Sequence, residues 1–178
     1  VESMQEVLRR VFSVTFDMNV AGLPQDEFLV WARFFGVLVE GREKKSEFRA
    51  YLHKARNILE KVINGEYDAW RNEDSGLGYL QGEDGFWRVW TREETRTIAY
   101  EGGEFTARIT ADPYFMLRRG CLSAQLIDCF SLEGDYEQVS CLLNDVGSRA
   151  NMLVVIESED IVMGVSVAKI RKKEDGEP

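Results

Sequence analysis

Histidine occurs only once among the 178 residues, at position 53, and cysteine only three times. His53 lies beside the apolar stripe of a predicted helix, more than sixty positions from any candidate nucleophile. We therefore interpret it as a solvated or half-buried helix residue rather than a catalytic base. The cysteines are separated by seven and eleven residues, which provides no close pair for a tetrahedral zinc site. These spacings predict core thiols and no metal site.

Long apolar runs and an excess of positive charge are also missing. The longest apolar stretch, residues 28–39, is interrupted by Arg33 and falls short of the roughly 18 residues that cross a bilayer, so we predict no membrane partner. The net charge of −9 repels phosphate backbones and weighs against a nucleic-acid partner. The odd number of cysteines and the lack of a signal-like N-terminus favour a cytoplasmic location.

Motifs that hold a nucleotide are missing too. The glycine-rich residues 76–82 carry Gln81 where the dinucleotide fingerprint needs glycine, and no phosphate-cradling Gly-Lys-Ser/Thr sequence occurs. We interpret this stretch as a surface loop and predict no bound cofactor. Cys121 is the only catalytic candidate, because the neighbouring Arg118 and Arg119 would stabilise a thiolate. The alternative is that Cys121 is a structural core thiol.

Apolar periodicity predicts an α+β protein whose first part is helical. Ser3 and Glu6 form a capping-box pattern ahead of a helix that starts at about residue 4. Residues 25–39 are apolar over most of a helix surface, so this helix should lie at the centre of the N-terminal part. Residues 42–63 are the most regular predicted helix. The predicted divisions are a three-helix subdomain (1–66), an acidic Gly-rich connection (67–85), a mostly antiparallel sheet with two helices (86–171) and a frayed tail (172–178).

Strand and helix patterns follow one another in the second part. Strand patterns occupy residues 86–91, 95–100 and 104–110, with a turn between the last two at Gly102-Gly103. Residues 121–132 are mostly apolar but show neither the helical nor the strand period. We therefore predict a buried segment and leave its secondary structure undecided. Two more helices are predicted, one from Pro113 to Arg119 with Asp112 as its cap and one that is capped by Asp135 and ends at Val146. Residues 152–157 and 161–170 should pair as a hairpin. Gly164 in its second strand predicts a bulge or a close approach of another backbone segment.

Two surfaces are candidates for contact with a partner. Tyr79, Trp87 and Trp90 cluster around the glycine-rich loop, where they either meet a partner or pack on the sheet. One face of the predicted helix 42–63 is basic near the start of the helix. This basic face could bind an acidic partner or RNA, and the alternative is an ordinary solvated surface. Its candidate contact residues are Arg42, Lys45, Arg49 and Arg56.

Residues 105–170 resemble the front half of the GNAT acyltransferases. Residues 105–113 are similar to that family's first strand running into its first helix, and residues 153–167 to its central hairpin, including a glycine early in the second strand. The resemblance implies a turn after a fourth strand whose backbone N–H groups hold acetyl-CoA. This sequence ends before any such turn, so the resemblance carries no cofactor-binding or catalytic residue onto this chain.

The sequence favours a non-catalytic cytoplasmic protein-interaction or regulatory domain over an enzyme. The start at Val1 and the charged tail lead us to expect a piece of a longer protein. A first alternative is an acyltransferase-like enzyme whose cofactor-binding half is missing or supplied elsewhere. A second alternative is RNA binding through the basic helix of residues 42–56.

Overall fold

The computed structural model describes residues 3–43, 46–73, 93–119, 132, 135–148, 151–159 and 161–169. In this part of the chain the predicted α+β fold is confirmed, because helices precede a four-stranded antiparallel sheet that carries two more helices. The helices are α1 (Met4–Phe16), α2 (Gln25–Glu40), α3 (Phe48–Ile63), α4 (Tyr67–Glu73), α5 (Pro113–Arg118) and α6 (Tyr136–Val146). The strands are β1 (Glu93–Tyr100), β2 (Gly103–Thr110), β3 (Asn151–Ser158) and β4 (Ile161–Lys169).

Capping boxes fix the starts of α1 and α6, as predicted. At α1 the Glu6 carboxylate accepts a hydrogen bond from the Ser3 backbone N–H at 2.6 Å, and the Ser3 hydroxyl accepts one from the Glu6 N–H at 3.3 Å. Asp135 and Gln138 repeat this exchange at α6, at 3.0 and 3.2 Å. Each box satisfies backbone donors that a helix start leaves without an intrahelical partner, so these short sequence patterns set the helix boundaries.

The start of α5 is also as predicted. The Asp112 carboxylate accepts a hydrogen bond from the Tyr114 backbone N–H at 3.0 Å, and Pro113 occupies the first helical position. Proline is favoured there because its fixed φ is helical and its missing N–H would have no partner. The helix ends at Arg118, one residue before the predicted end.

Aromatic rings join α1 to α2. The Phe12 ring lies 5.7 Å from Phe28 and 5.1 Å from Phe35 between centroids, and Phe16 lies 4.8 Å from Phe35. All three pairs are edge-on, an arrangement that aromatic quadrupoles favour. The guanidinium of Arg9 lies 4.6 Å from the Phe28 centroid, so a cation also covers this cluster.

Helix α2 is the hub of the fold, as its apolar sequence predicted. It packs against α3, α5 and α6, and its largest side chains are completely buried. The same hydrophobic core continues to the sheet through Leu153 and Val155 of β3. The described helices and the sheet thus share one core. The division at residue 66 stays a prediction. The fully buried large residues of α2 are Phe28, Trp31, Phe34, Phe35 and Leu38.

The sheet has the strand order β1-β2-β3-β4 with every pair antiparallel. The predicted hairpin of β3 and β4 is confirmed, and so is an irregularity next to Gly164. Gly164 pairs with Ile156 whereas Val162 pairs with Glu157, which leaves Met163 as the extra residue of a bulge. The turn between β1 and β2 consists of Glu101 and Gly102, both with positive φ, and not of the predicted Gly102-Gly103 pair.

A polar cluster ties the end of α5 to α6 and β3. The guanidinium of Arg119 donates to the Asp145 carboxylate, and the Asn151 side-chain N–H donates to the same carboxylate at 2.8 Å. Arg119 is buried, so this ion pair is shielded from solvent. The cluster therefore joins the three elements, and removing either charged partner would leave a desolvated charge.

Two further helices, α3 and α4, differ from the sequence predictions. The predicted helix 42–63 is divided into a 3-10 turn at Gly41–Glu43 and α3, which begins only at Phe48. Gly41 lies so close to the Tyr136 ring that an added Cβ would be 2.1 Å from it, so only glycine fits at the start of this turn without a shift of the ring. Helix α4 lies inside the predicted glycine-rich connection 67–85. Its first residue, Tyr67, is buried, and the Tyr67 hydroxyl donates to the Val146 carbonyl at 2.9 Å, which ties this helix to the end of α6.

Replacing Phe35 by alanine should lower the free energy of unfolding by about 3–5 kcal/mol, because it empties a fully buried ring site at the contact of α1 and α2. Leu29→Ala on the exposed side of the same helix should cost about 1 kcal/mol or less. Urea denaturation followed by circular dichroism compares the two variants. Equal losses of stability would contradict the placement of Phe35 in the core.

Candidate functional site

Five of the residues singled out from the sequence lie outside the described residues. They are Lys45, Tyr79, Trp87, Trp90 and Cys121. The predicted strand at 86–91, the glycine-rich loop at 76–82 and the tail at 172–178 also lie outside. Of the buried segment predicted at 121–132, only Leu132 is described, and it is buried.

The predicted basic face is only partly assembled. Arg49 and Arg56 are seven residues apart in α3 and therefore lie on one flank of this helix, whereas Arg42 lies in the preceding 3-10 turn. Arg42 and Arg49 are exposed. Arg56 is half-buried, lies 3.7 Å from the Glu60 carboxylate and donates to the Asp17 carbonyl at 3.4 Å. It therefore serves the fold by joining α3 to the end of α1.

The single histidine and one cysteine can be located. His53 is exposed on α3, with Nε2 3.3 Å from the side-chain nitrogen of Asn57, which confirms a solvated helix residue. Cys141 is exposed on α6, so the core-thiol prediction is wrong for this residue. Its buried neighbours Leu142, Leu143 and Val146 define the inner side of α6, and Cys141 falls on the opposite side.

An apolar surface on α1 is the most prominent exposed feature of the described residues, and the sequence analysis did not single it out. Val14 is 79% exposed, Met4 74%, Val11 55% and Leu8 44%. Four large apolar side chains thus lie on the solvent side of one 13-residue helix. Single exposed apolar residues are common on protein surfaces, whereas groups of them mark interaction sites.

Three of these exposed residues, together with the half-buried Val7, have the spacing of a coiled-coil seam. Met4, Val7, Val11 and Val14 follow one another at intervals of three, four and three residues, the a and d positions of two heptads. Val7 is half-buried and the other three are exposed. We call these four residues the α1 seam. A helix docked on this seam would insert its own apolar side chains between them.

The inner side of α1 explains why the seam faces outward. Phe12 is buried and packs with Phe16 against α2. Arg9 donates to the carbonyls of Val20 at 2.6 Å and Leu23 at 2.9 Å, which anchors α1 to the loop before α2. These contacts prevent α1 from rotating about its axis to bury the seam.

The first turn of α1 has a distinctive electrostatic feature. The backbone N–H of Ser3, and then its side chain, hydrogen-bond to the Glu6 carboxylate and lower its pKa below the ordinary glutamate value. The charged carboxylate is thereby favoured at the helix start, where it also meets the positive end of the helix dipole. The cap that presents Met4 thus depends on an ionised Glu6.

Neither a metal cluster nor a membrane span is found in the described part of the chain. Within those ranges no three histidine, cysteine, aspartate or glutamate side chains converge as metal ligands would. No helix there is long and apolar enough to cross a bilayer.

Comparison with models of known protein families finds no match, and searches of curated proteins and of solved structures find none either. The resemblance of residues 105–170 to the GNAT acyltransferases stays a prediction. The candidate site therefore rests on the geometry of α1 alone.

The Glu6 carboxyl should titrate below the ordinary glutamate midpoint of about 4.3. A carboxyl whose pKa is lower in the folded chain stabilises the fold above the unfolded-state pKa, and this contribution disappears as the pH falls through the folded-state value. A carbon-detected NMR titration of the Glu6 carboxyl measures the midpoint, with the urea-unfolded chain as control. A folded midpoint equal to or above the unfolded one would show that the capping box does not form.

Proposed function

We propose that this protein is a non-catalytic protein-interaction domain that binds an amphipathic helix of a different protein on the α1 seam. The observation that carries the proposal is that an outward-facing seam with heptad spacing lies on a helix held in place from its other side. Complete burial of an apolar side chain of this size contributes about 1.5–3 kcal/mol. Met4, Val11 and Val14, all more than half exposed, are the main source of binding free energy.

The spacing of the seam supports a helix as the occupant. Residues at a and d positions form the holes into which the side chains of a second helix fit. An extended strand pairs through backbone groups, which an α-helix already uses internally, so a strand would gain little from this surface. The proposed interface is thus the helix-in-groove type of recognition.

The small size of the seam favours a different protein over a second copy of this chain as the binding partner. Helix α1 has 13 residues and is about 20 Å long, so two copies paired through α1 would bury less than the roughly 800 Å² per partner of a stable interface. A different protein can extend its contact beyond α1. The interaction should be reversible, because only two heptads of apolar contact oppose the entropy lost on association.

Charge also favours a different partner. Each copy of the chain carries a net charge of −9, so two copies repel each other at long range. A partner helix with lysine or arginine outside its apolar stripe would instead be attracted. The proposed partner is therefore an amphipathic helix with basic outer positions.

The two alternatives, acyl transfer and RNA binding, stay predictions. RNA binding through the basic face would depend mainly on Arg42 and Arg49 among the described residues, since Arg56 is engaged by Glu60 and Asp17. Two guanidinium groups provide little of the counterion release that nucleic-acid binding requires.

The probe for this proposal is a three-heptad peptide with leucine at its a and d positions and lysine at its outer positions. It should bind the wild-type chain, and Val14→Glu should weaken binding about tenfold or more, because docking would bury a carboxylate in the seam. Gln5→Glu adds the same charge to an exposed position of α1 outside the seam and should not weaken binding. Calorimetric titration measures both variants.

Three results would contradict the proposal. Equal affinity of wild type and Val14→Glu would show that the seam is not the binding surface. Equal binding of a peptide with the same composition but scrambled order would reduce the interaction to charge attraction. Sedimentation velocity adds a third test: self-association of the wild type that Val14→Glu abolishes would make a second copy the occupant and contradict a different partner.

A further inference from the structure

A recess opens between α3, α4 and the end of α6, on a part of the molecule that the proposed function does not use. It encloses about 180 Å³ and is lined by Lys54, Asn57, Ile58, Lys61, Trp70 and Gly147. This volume is below the about 300–1,000 Å³ of pockets that hold drug-sized ligands or cofactors. The recess is therefore suited to a group the size of one side chain or one small ring, not to a nucleotide.

The recess has an apolar body. Ile58 is buried beneath it, and Trp70 forms one wall. Tyr67 fixes that wall, because its ring is 5.6 Å from the Trp70 ring and its hydroxyl is bonded to the Val146 carbonyl. The aliphatic stems of the lysines contribute further apolar surface while their charged ends reach solvent. A flat hydrocarbon group would therefore replace water here at a gain in free energy.

Positive charge surrounds this apolar body. Lys54 and Lys61 are seven residues apart in α3, so both lie on the same flank, about 10 Å apart along the helix axis. The Lys61 ammonium lies 5.9 Å from the centroid of the Trp70 ring. The Lys54 ammonium lies 3.3 Å from the side-chain oxygen of Asn144 on α6, a neutral partner. Neither contact neutralises a lysine with a carboxylate.

Among the described residues, two carboxylates of α3 and α6 that lie near the recess are directed to other partners. Glu60 lies on the other flank of α3, where it meets Arg56. Asp145 at the end of α6 is directed to Arg119 and Asn151. Asn57 also lines the recess, and its side-chain nitrogen lies 3.3 Å from Nε2 of His53.

We infer that this recess binds a small carboxylate joined to a flat apolar group, of the chemical class of the aromatic carboxylic acids. The ammonium groups attract the anion, and the indole and Ile58 receive the ring. A free phosphate is a poorer fit because its whole surface is strongly hydrated, whereas most of this lining is apolar. The inference does not rest on the function proposed for α1, because none of the residues that line the recess belongs to that helix.

Benzoate is the probe, with neutral benzamide of the same shape as its control. Titration followed by two-dimensional NMR should shift the signals of the Trp70 indole N–H and the Asn57 side-chain amide, and benzamide should shift them at least threefold more weakly. Lys61→Met and Lys54→Met keep the stem and remove the charge, so each should weaken benzoate binding at least threefold. Arg49→Met removes an exposed charge on the other flank of α3 and should have no effect.

Several outcomes would overturn the inference. Equal binding of benzoate and benzamide would leave an apolar cleft without anion preference. Unchanged affinity in both lysine variants would place the anion elsewhere, and tighter binding of inorganic phosphate than of benzoate would contradict the apolar component.

A blocked peptide containing adjacent aspartate and phenylalanine separates two sources of the same chemistry. Tighter binding of this peptide than of benzoate would support a carboxylate supplied by a protein.

Discussion

Aromatic packing around α2, which also anchors α1, is the interaction on which the rest of the described structure depends. Phe35 is fully buried and meets rings from both helices, so neither helix can move without opening the core. Helix α2 then carries α3, α5 and α6 on its remaining surface, and the same core reaches β3. Because α1 supplies only Phe12 and Phe16 to this packing, its opposite side is left facing solvent.

The features that the sequence predicted correctly are those with local causes. The boxes that begin with Ser3 and Asp135 each form within four residues, and so does the cap at Asp112, so no distant contact is needed to specify them. The pairing of β3 with β4 follows from two β-branched segments joined by a short turn. The central position of α2 follows from its composition alone, since a helix that is apolar on most sides must be covered.

The features that were not predicted from the sequence have one of two causes. Some depend on contacts between residues far apart in the chain, and others require each residue to be placed on a helix face with the 3.6-residue period. Helix α4 is stabilised by a hydrogen bond from Tyr67 to Val146, 79 residues away, which composition could not indicate. The 3-10 turn that begins at Gly41 packs against the Tyr136 ring, another distant contact. The exposed position of Cys141 was predictable in principle, because the 3.6-residue period places it opposite Leu142 and Leu143.

The α1 seam was also present in the sequence. The apolar residues of α1 form two stripes along the helix. Phe12 and Phe16 face inward, whereas Met4, Val7, Val11 and Val14 follow a heptad spacing on the outside. Periodicity identifies apolar stripes, but only the fold decides which one the core covers. The other stripe carries the functional proposal.

The most direct test of the account is the solvent accessibility of the Met4 methyl group in the intact chain. With methyl-labelled methionine and a soluble paramagnetic agent, the Met4 signal should broaden strongly in the free protein and become protected when the amphipathic peptide binds. Met163, which is exposed on β4, should stay accessible in both states, and the buried Met116 should be protected in both. A Met4 methyl that is already protected in the free protein, or that stays accessible in the complex, would contradict the claim that α1 displays an open seam for a partner helix.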